Sequence, residues 1–467
     1  MNTLTAPAPS GARTAGNYAP VFVEHETTRL AIKGALPRAL NGTLFRNGPN
    51  PRFPTEDSHW FVGDGMIHAF TLEDGAATYR NRWVRTPKWL AEDAAGRSLF
   101  RGFGQTRPGT PAGIDGGVAN TNVLLHGGRL LALEEGHLPM ALAPDSLATE
   151  GYVDFDGTVA GPFTAHPKIC PQTGELLFYG YHLGGGFSPV MSHGSIGPDG
   201  RTRRFERFEA PFPSMVHDFA ATRNHLVFPI LPLTGSLVRA RTGRPPYAWE
   251  PELGSHIGIM RRDGSAADMA WFRGPACYVF HVMNAWEDGS RILVDVMQLD
   301  APPFPLADGS PAFKGPPPRA RLCRWTFDLA GGSDRFHQTF LDDLGGEFPR
   351  IDDRLSGSAN GHGWFAGAGP AAAPGSFDTI AHFDFTTWRR NSHAFAPGSS
   401  VSEPVFVPRA ADAAEGDGWV LAVVRQPEAE HSELAVFDAL QLDDGPLATV
   451  TLPARVPAGL HGNWVPA

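Results

Sequence analysis

Only three cysteines, Cys170, Cys277 and Cys323, occur in 467 residues. Their odd number and wide spacing exclude a disulfide framework and a thiolate metal site, and fit a reducing compartment. No run of about 18 apolar residues is present, so no membrane-spanning helix is expected. The segment 1–18 (MNTLTAPAPSGARTAGNY) lacks the apolar stretch of a secretory signal and reads as a flexible N-terminus. Basic runs and Gly-rich phosphate loops are missing as well. With a formal net charge of -10, this excludes nucleic acid as the partner. The expected location is the cytoplasm, with any membrane contact peripheral, through Trp89-Leu90, Leu99-Phe100 or Pro302–Leu306. Tyrosine is scarce, 7 against 31 Phe, so the aromatic bulk carries few polar handles. Such bulk suits an apolar tunnel or a large β core.

Helical periodicity is also scarce, Leu90–Leu99 being one short candidate. Turn dipeptides are plentiful instead: Asp74-Gly75, Gly127-Gly128, Asp199-Gly200, Asp263-Gly264, Asp288-Gly289, Gly331-Gly332 and Asp444-Gly445. Such pairs supply the positive φ angles of tight hairpins, and β-branched and apolar runs flank them. Hairpins spread over more than 400 residues without a linker predict one closed, repetitive all-β architecture. A sandwich would be too small, whereas a β-propeller scales to this length. At about 50–70 residues per blade the chain makes roughly seven blades, as a single domain over 19–467. The Pro-rich stretches Ala301–Pro305 and Gly315–Pro318 are expected to be loops of a cap over one face. Ala366–Ser376 (AGAGPAAAPGS) reads as an exposed, mobile loop.

Of 18 histidines, four share a setting: His166, His217, His281 and His461 each adjoin an apolar residue at an apparent strand start. Taken singly, each would be an ordinary hydrogen-bonded residue. Their separations of 51, 64 and 180 residues exclude a zinc finger, whose ligands come in close pairs. They suit a radial fold in which each blade aims one side chain at a common axis. Imidazole ligands leave the metal open among Zn, Cu, Fe and Ni. An octahedral iron with four neutral histidines would keep two adjacent positions for O2 and substrate or water.

The segments around these histidines form an ordered series. It runs through Leu40–Asn50 (LNGTLFRNGPN), His59–Phe61 with Gly63–Met66, Ala119–Asn122 (ANTN), Thr164–Lys168 (TAHPK), Met215–Phe219 (MVHDF) and Phe280–Trp286 (FHVMNAW). Glu347–Arg350 (EFPR), Ser402–Pro408 (SEPVFVP), Leu452–Pro457 (LPARVP) and Leu460–Trp464 (LHGNW) complete it. Together these resemble the carotenoid cleavage oxygenase family along nearly the whole chain, and several ordered motifs are far more specific than any one.

The resemblance implies a seven-bladed propeller with Fe(II) held by His166, His217, His281 and His461, and O2 as co-substrate. It implies three carboxylates behind the ligands, Glu135, Glu347 and Glu403. Each would accept a histidine's other ring N–H and fix its tautomer. Three partners for four ligands leave one histidine without a carboxylate, and His166 is the candidate. Thr121 matches a position near an open iron site. Phe61, Phe280 and Phe348, which flank the motifs, are candidates for a substrate tunnel. Asp64-Gly65 and Pro349-Arg350 read as architecture, a tight turn and a buried ion pair. No catalytic side chain beyond the metal centre is required, because the metal performs the redox step.

Two substrate branches compete, carotenoids or apocarotenoids and hydroxystilbenes or phenylpropenoids. In the stilbene branch a Tyr and a Lys typically read the phenol, the Lys directly preceding the first supporting Glu. Here Glu134 holds that place, and Arg101 or Phe103 falls near the expected Tyr. A carboxylate cannot stabilise a phenolate, so the expectation favours a polyene, with Glu134 lining the tunnel and stilbene cleavage the alternative. A non-enzymatic binding propeller is the remaining reading, and buried histidines and carboxylates without a role argue against it.

Overall fold

The computed structural model describes residues 15–467 except 58, 103, 104, 316, 317, 371, 374 and 428. Most of the expected flexible N-terminus, and Phe103, therefore lie outside the described residues. With 44% strand against 7% helix, the fold class is all-β. The turn pairs explain why: Asp74 and Gly75 take φ of 45° and 77°, and Gly127 and Gly128 take 57° and 76°. These left-handed values twist the strands on either side into register, closing Gly65–Glu73 on Ala76–Trp83 and Asn122–His126 on Arg129–Leu133.

The chain forms two compact units. Unit 1 comprises Gly161–Gly375 and Ala381–Arg390. Its strands follow one another as antiparallel meanders. One sheet runs Lys168–Ile169, Leu176–Gly180, Val190–Ile196, Thr202–Glu209. A second runs Ala220–Ala221, His225–Ile230, Ser255–Arg261, Ala270–Gly274. A third passes through Tyr278–Asp288, Arg291–Leu299, Arg321–Asp328, His337–Arg350 and His362–Gly367. The core between them is aromatic, with Phe219, Phe228, Trp325, Phe327 and Phe365 fully buried. Phenylalanine abundance thus serves packing across the sheets.

Unit 2 comprises, in its described part, the chain up to Ala160 with Ser376–Ile380 and Asn391–Ala467. Here the strand Gly42–Pro49 pairs on one side with Gly65–Glu73 and on the other with Gly462–Pro466, so both ends of the chain share a sheet. Gly16–Tyr18 forms a 3-10 turn whose Tyr18 ring meets Trp60 edge-on at 5.2 Å.

The helix spans Pro87–Ala95 rather than the expected Leu90–Leu99. Thr86 caps it by accepting the Trp89 amide, Pro87 sits at its first position, and Gly96 ends it in the left-handed region. Its inner face carries Lys88, whose ammonium bonds Asp64 (2.6 Å) and Glu92 (2.9 Å), all buried. Asp64, expected at a tight turn, thus also holds a buried ion pair, and Arg350 pairs with the exposed Asp353. Trp89, Leu99 and Phe100 are buried, as are Ala366 and Ala368. Of the residues expected at a membrane contact these first three are thus covered while Leu90 is exposed, and the start of Ala366–Ser376 is not an exposed loop. Among the described residues no helix is long and apolar enough to cross a membrane.

Candidate metal centre

In unit 1 three of the four histidines meet. His166 and His217 each lie shortly before a strand, and His281 sits within Tyr278–Asp288. The strand's register shifts between Val279 and Asn284, an irregularity of the kind that re-aims a side chain. The Nε2 atom of His166 is 3.1 Å from that of His217, which is 3.3 Å from that of His281. Three imidazole nitrogens facing one another at this spacing fit a shared cation. Bonds of about 2.1 Å to a divalent ion place right-angle ligands about 3 Å apart.

A carboxylate settles which nitrogen is free for the ion. Glu347 Oε2 lies 2.6 Å from His281 Nδ1. A carboxylate only accepts, so Nδ1 donates and Nε2 carries the lone pair. Burial pushes the Glu347 carboxyl well up, the Phe348 amide pulls it down, and the Asp218 charge adds to the rise; a bound cation opposes that rise. Phe348 takes φ of 57°, a strained conformation for a side chain of this size. It places the Phe348 ring 5.3 Å from the His281 ring, while Phe280 meets His217 edge-on at 5.3 Å. Two of the three expected tunnel phenylalanines thus flank the histidines.

The sequence reading missed the clamp that aligns these segments. Asp218 accepts the Val282 amide (2.8 Å) and its own neighbour Phe219 (2.7 Å), and pairs with Lys168 (2.8 Å). One buried carboxylate therefore ties together the residues beside all three histidines. The available signal was a charged residue one or two places after a histidine in two motifs, His166-Pro167-Lys168 and His217-Asp218.

Unit 2 carries His461, at the start of Gly462–Pro466, with its own carboxylate. Glu403 Oε1 lies 2.9 Å from His461 Nδ1, and Oε2 accepts the Gly462 amide at 2.9 Å. The His461 amide donates to the Thr121 carbonyl (3.1 Å), and its carbonyl accepts from Asn47 (2.8 Å). Thr121 donates its hydroxyl to Asn120 Oδ1 (3.0 Å), which leaves its methyl group for apolar contact. Burial pulls the Arg46 guanidinium down to about 10, with the Glu403 charge opposing the fall. Glu135 is half-buried beside Glu134. Phe61 is a third exposed, and its carbonyl accepts from Asn120. Arg101 is half-exposed near Asp57.

Glu134, the expected tunnel residue, is half-buried. Its carboxylate accepts the Val118 and Ala119 amides and faces His137. It holds the local backbone in place, and its negative charge is already matched.

The family model described as retinal pigment epithelial membrane protein matches residues 18–466. The chain belongs to this family, the carotenoid cleavage oxygenases, which are non-haem iron oxygenases. It is 40% identical to an isoeugenol monooxygenase of Pseudomonas putida over 96% of this chain and 97% of the relative. It is 36% identical to lignostilbene-alpha,beta-dioxygenase isozyme III of Sphingomonas paucimobilis over 97% of this chain and 96% of the relative. The crystal structure of Pseudomonas brassicacearum lignostilbene dioxygenase superposes with a TM-score of 0.91 at 35% identity, covering 100% of both chains. The seven-bladed propeller class expected from the sequence is that of such structural neighbours.

Proposed function

We propose that this protein is an Fe(II)-dependent oxygenase that splits the alkene bond conjugated to the ring of a hydroxyphenylpropene or hydroxystilbene. The convergence of His166, His217 and His281, with Glu347 behind His281, carries the reading. The family pattern adds His461, held by Glu403, as the fourth ligand, and Glu135 as the third supporting carboxylate. When bound, iron supplies the redox chemistry that joins O2 to the alkene. One C=C bond and one O2 become two C=O groups, so no further oxidant or organic cofactor enters.

The protein's own part is positional. Glu347 and Glu403 keep protons on Nδ1 of His281 and His461, and Asp218 holds the three unit 1 segments in step. Phe280 and Phe348, beside the histidines, would offer flat apolar faces to an aromatic alkene, and the family pattern would add Phe61 as a further wall residue and the Thr121 methyl near the bound metal. No general acid or base is needed.

The Glu134 carboxylate is committed to the Val118 and Ala119 amides and faces His137, so its charge is not set against a phenol. The relatives named for isoeugenol and lignostilbene support the aromatic substrate. The test is to incubate Fe(II)-loaded protein with a 4-hydroxyphenylpropene, a hydroxystilbene and an apocarotenal at equal concentration. Aromatic aldehyde from either aromatic alkene is expected. Cleavage of the apocarotenal alone overturns the reading.

A further inference from the structure

One buried histidine of unit 1 has no part in the metal centre. His193 lies in Val190–Ile196 and is 1% exposed. Its ring packs against Phe208 and Phe228, each centroid 6.0 Å away. Neither ring nitrogen has a hydrogen-bond partner among the described residues. Glu206 Oε2 lies 3.5 Å from Nε2, beyond a formed hydrogen bond. An interior imidazole without a partner costs stability that an apolar side chain in the same place would not. The charged groups acting on the ring are Arg204 and Glu206, both on Thr202–Glu209. The other neighbouring strands, Leu176–Gly180 and His225–Ile230, present the uncharged Tyr179 and Phe228. Burial, and then the Arg204 charge, lower the imidazole to about 4, with Glu206 opposing. His193 is therefore neutral at pH 7.

Thr202–Glu209 is the outermost strand of its sheet and pairs on one side only, with Val190–Ile196. His193 stands directly opposite Glu206 in that pairing. Outward, the strand is tied by Arg204, whose guanidinium bonds Glu206 (2.7 Å), the Arg262 carbonyl (2.6 Å) and the Gly264 carbonyl. Inward, it is tied by Phe208, whose ring shares the pocket of His193 and Phe228. The Glu206 side chain is 37% exposed, so the carboxylate keeps water that the imidazole lacks.

We propose that His193 is an acid-sensitive latch on this edge strand. As the neutral base it fills the aromatic pocket and pins Thr202–Glu209 through Phe208. A proton from solvent makes it a cation that the pocket cannot solvate, while Glu206 offers an ion pair at the pocket's edge. The ring then leaves for Glu206 and water, Phe208 loses its packing partner, and the strand opens from Val190–Ile196. The folded ring takes up a proton less readily than an ordinary imidazole. Its stabilisation is therefore complete above about 6.5 and lost as pH falls toward 4.

Backbone hydrogen exchange of the iron-loaded protein at pH 7 and pH 4.5 tests the latch. With the ring at about 4 in place and at its ordinary 6.5 once released, protection factors of Thr202–Glu209 should fall by about ten- to a hundredfold at the lower pH. Those of Arg291–Leu299, an inner strand of another sheet, should not. His193→Met fills the pocket but takes no proton, and should show equal protection of Thr202–Glu209 at both pH values. Glu206→Gln removes the ion pair but not the titration, and should keep the fall. Equal protection at both pH values in the native protein, a matching fall in Arg291–Leu299, or an undiminished fall in His193→Met overturns the latch. So does loss of the fall in Glu206→Gln, which would assign the titration to the carboxylate. Exchange of the His193 ring C–H in the native protein reads the titration without any substitution. A midpoint near 4 is expected, and one at the ordinary 6.5 overturns the proposal.

Discussion

Replacing Asp218 by alanine tests whether the histidines of unit 1 are held by the clamp beside them. The substitution strips the acceptor from the Val282 and Phe219 amides and leaves the Lys168 ammonium without its 2.8 Å partner. Asp218 is 2% exposed at the side chain and Lys168 21%, so the carboxylate is buried while the ammonium can partly rehydrate. Breaking a fully buried pair by removing one partner costs about 3–5 kcal/mol. The exposure of Lys168 places this case at the lower end, about 3 kcal/mol, which is more than a hundredfold in the folding equilibrium. Asp218→Asn keeps the shape and one acceptor oxygen, and should cost less, about 1–2 kcal/mol. Denaturant unfolding at neutral pH measures both, and iron content after dialysis reports on the histidines. A variant within about 0.5 kcal/mol of the native protein, retaining its iron, would refute the clamp.

Glu347→Gln leaves His281 Nδ1 facing a neutral amide in place of the carboxylate now 2.6 Å away; Fe(II) titration should show affinity lower by about ten- to a hundredfold. Lys88→Met strands Asp64 and Glu92 in the interior and should cost about 3–5 kcal/mol in the same unfolding assay. Burial would raise the Glu287 carboxyl, but hydrogen bonds from Thr222, His225 and Asn224 hold it at about 2, below its ordinary 4.5. Because the folded state favours the charged form, its stabilisation is complete above about 4.5 and lost as pH falls toward 2. The Tm gap between native protein and Glu287→Gln should therefore be larger at pH 6 than at pH 2.5.

Much of this architecture was legible in the residues. Paired turn residues such as Asp74-Gly75 and Gly127-Gly128 announce hairpins because few other residues tolerate two successive positive φ values. The histidines stand out because their flanks form long, ordered motifs. What escaped depended on three-dimensional partners. Helix limits were set by Thr86 and Gly96, whose capping roles show only once the backbone turns there. Asp64 looked like a turn residue because its partner Lys88 lies 24 positions away. Glu134 read as an obstacle to phenols because its own partners, the amides of Val118 and Ala119 and the ring of His137, are invisible to a comparison of residue types.

The central claim is an iron centre built on these histidines, and metal analysis of the purified protein after anaerobic Fe(II) loading addresses it directly. The account predicts near one iron per protein molecule, lost in His281→Ala although that variant folds, together with loss of alkene cleavage. A native protein that binds no iron, or a His281→Ala variant that keeps both iron and activity, would contradict it.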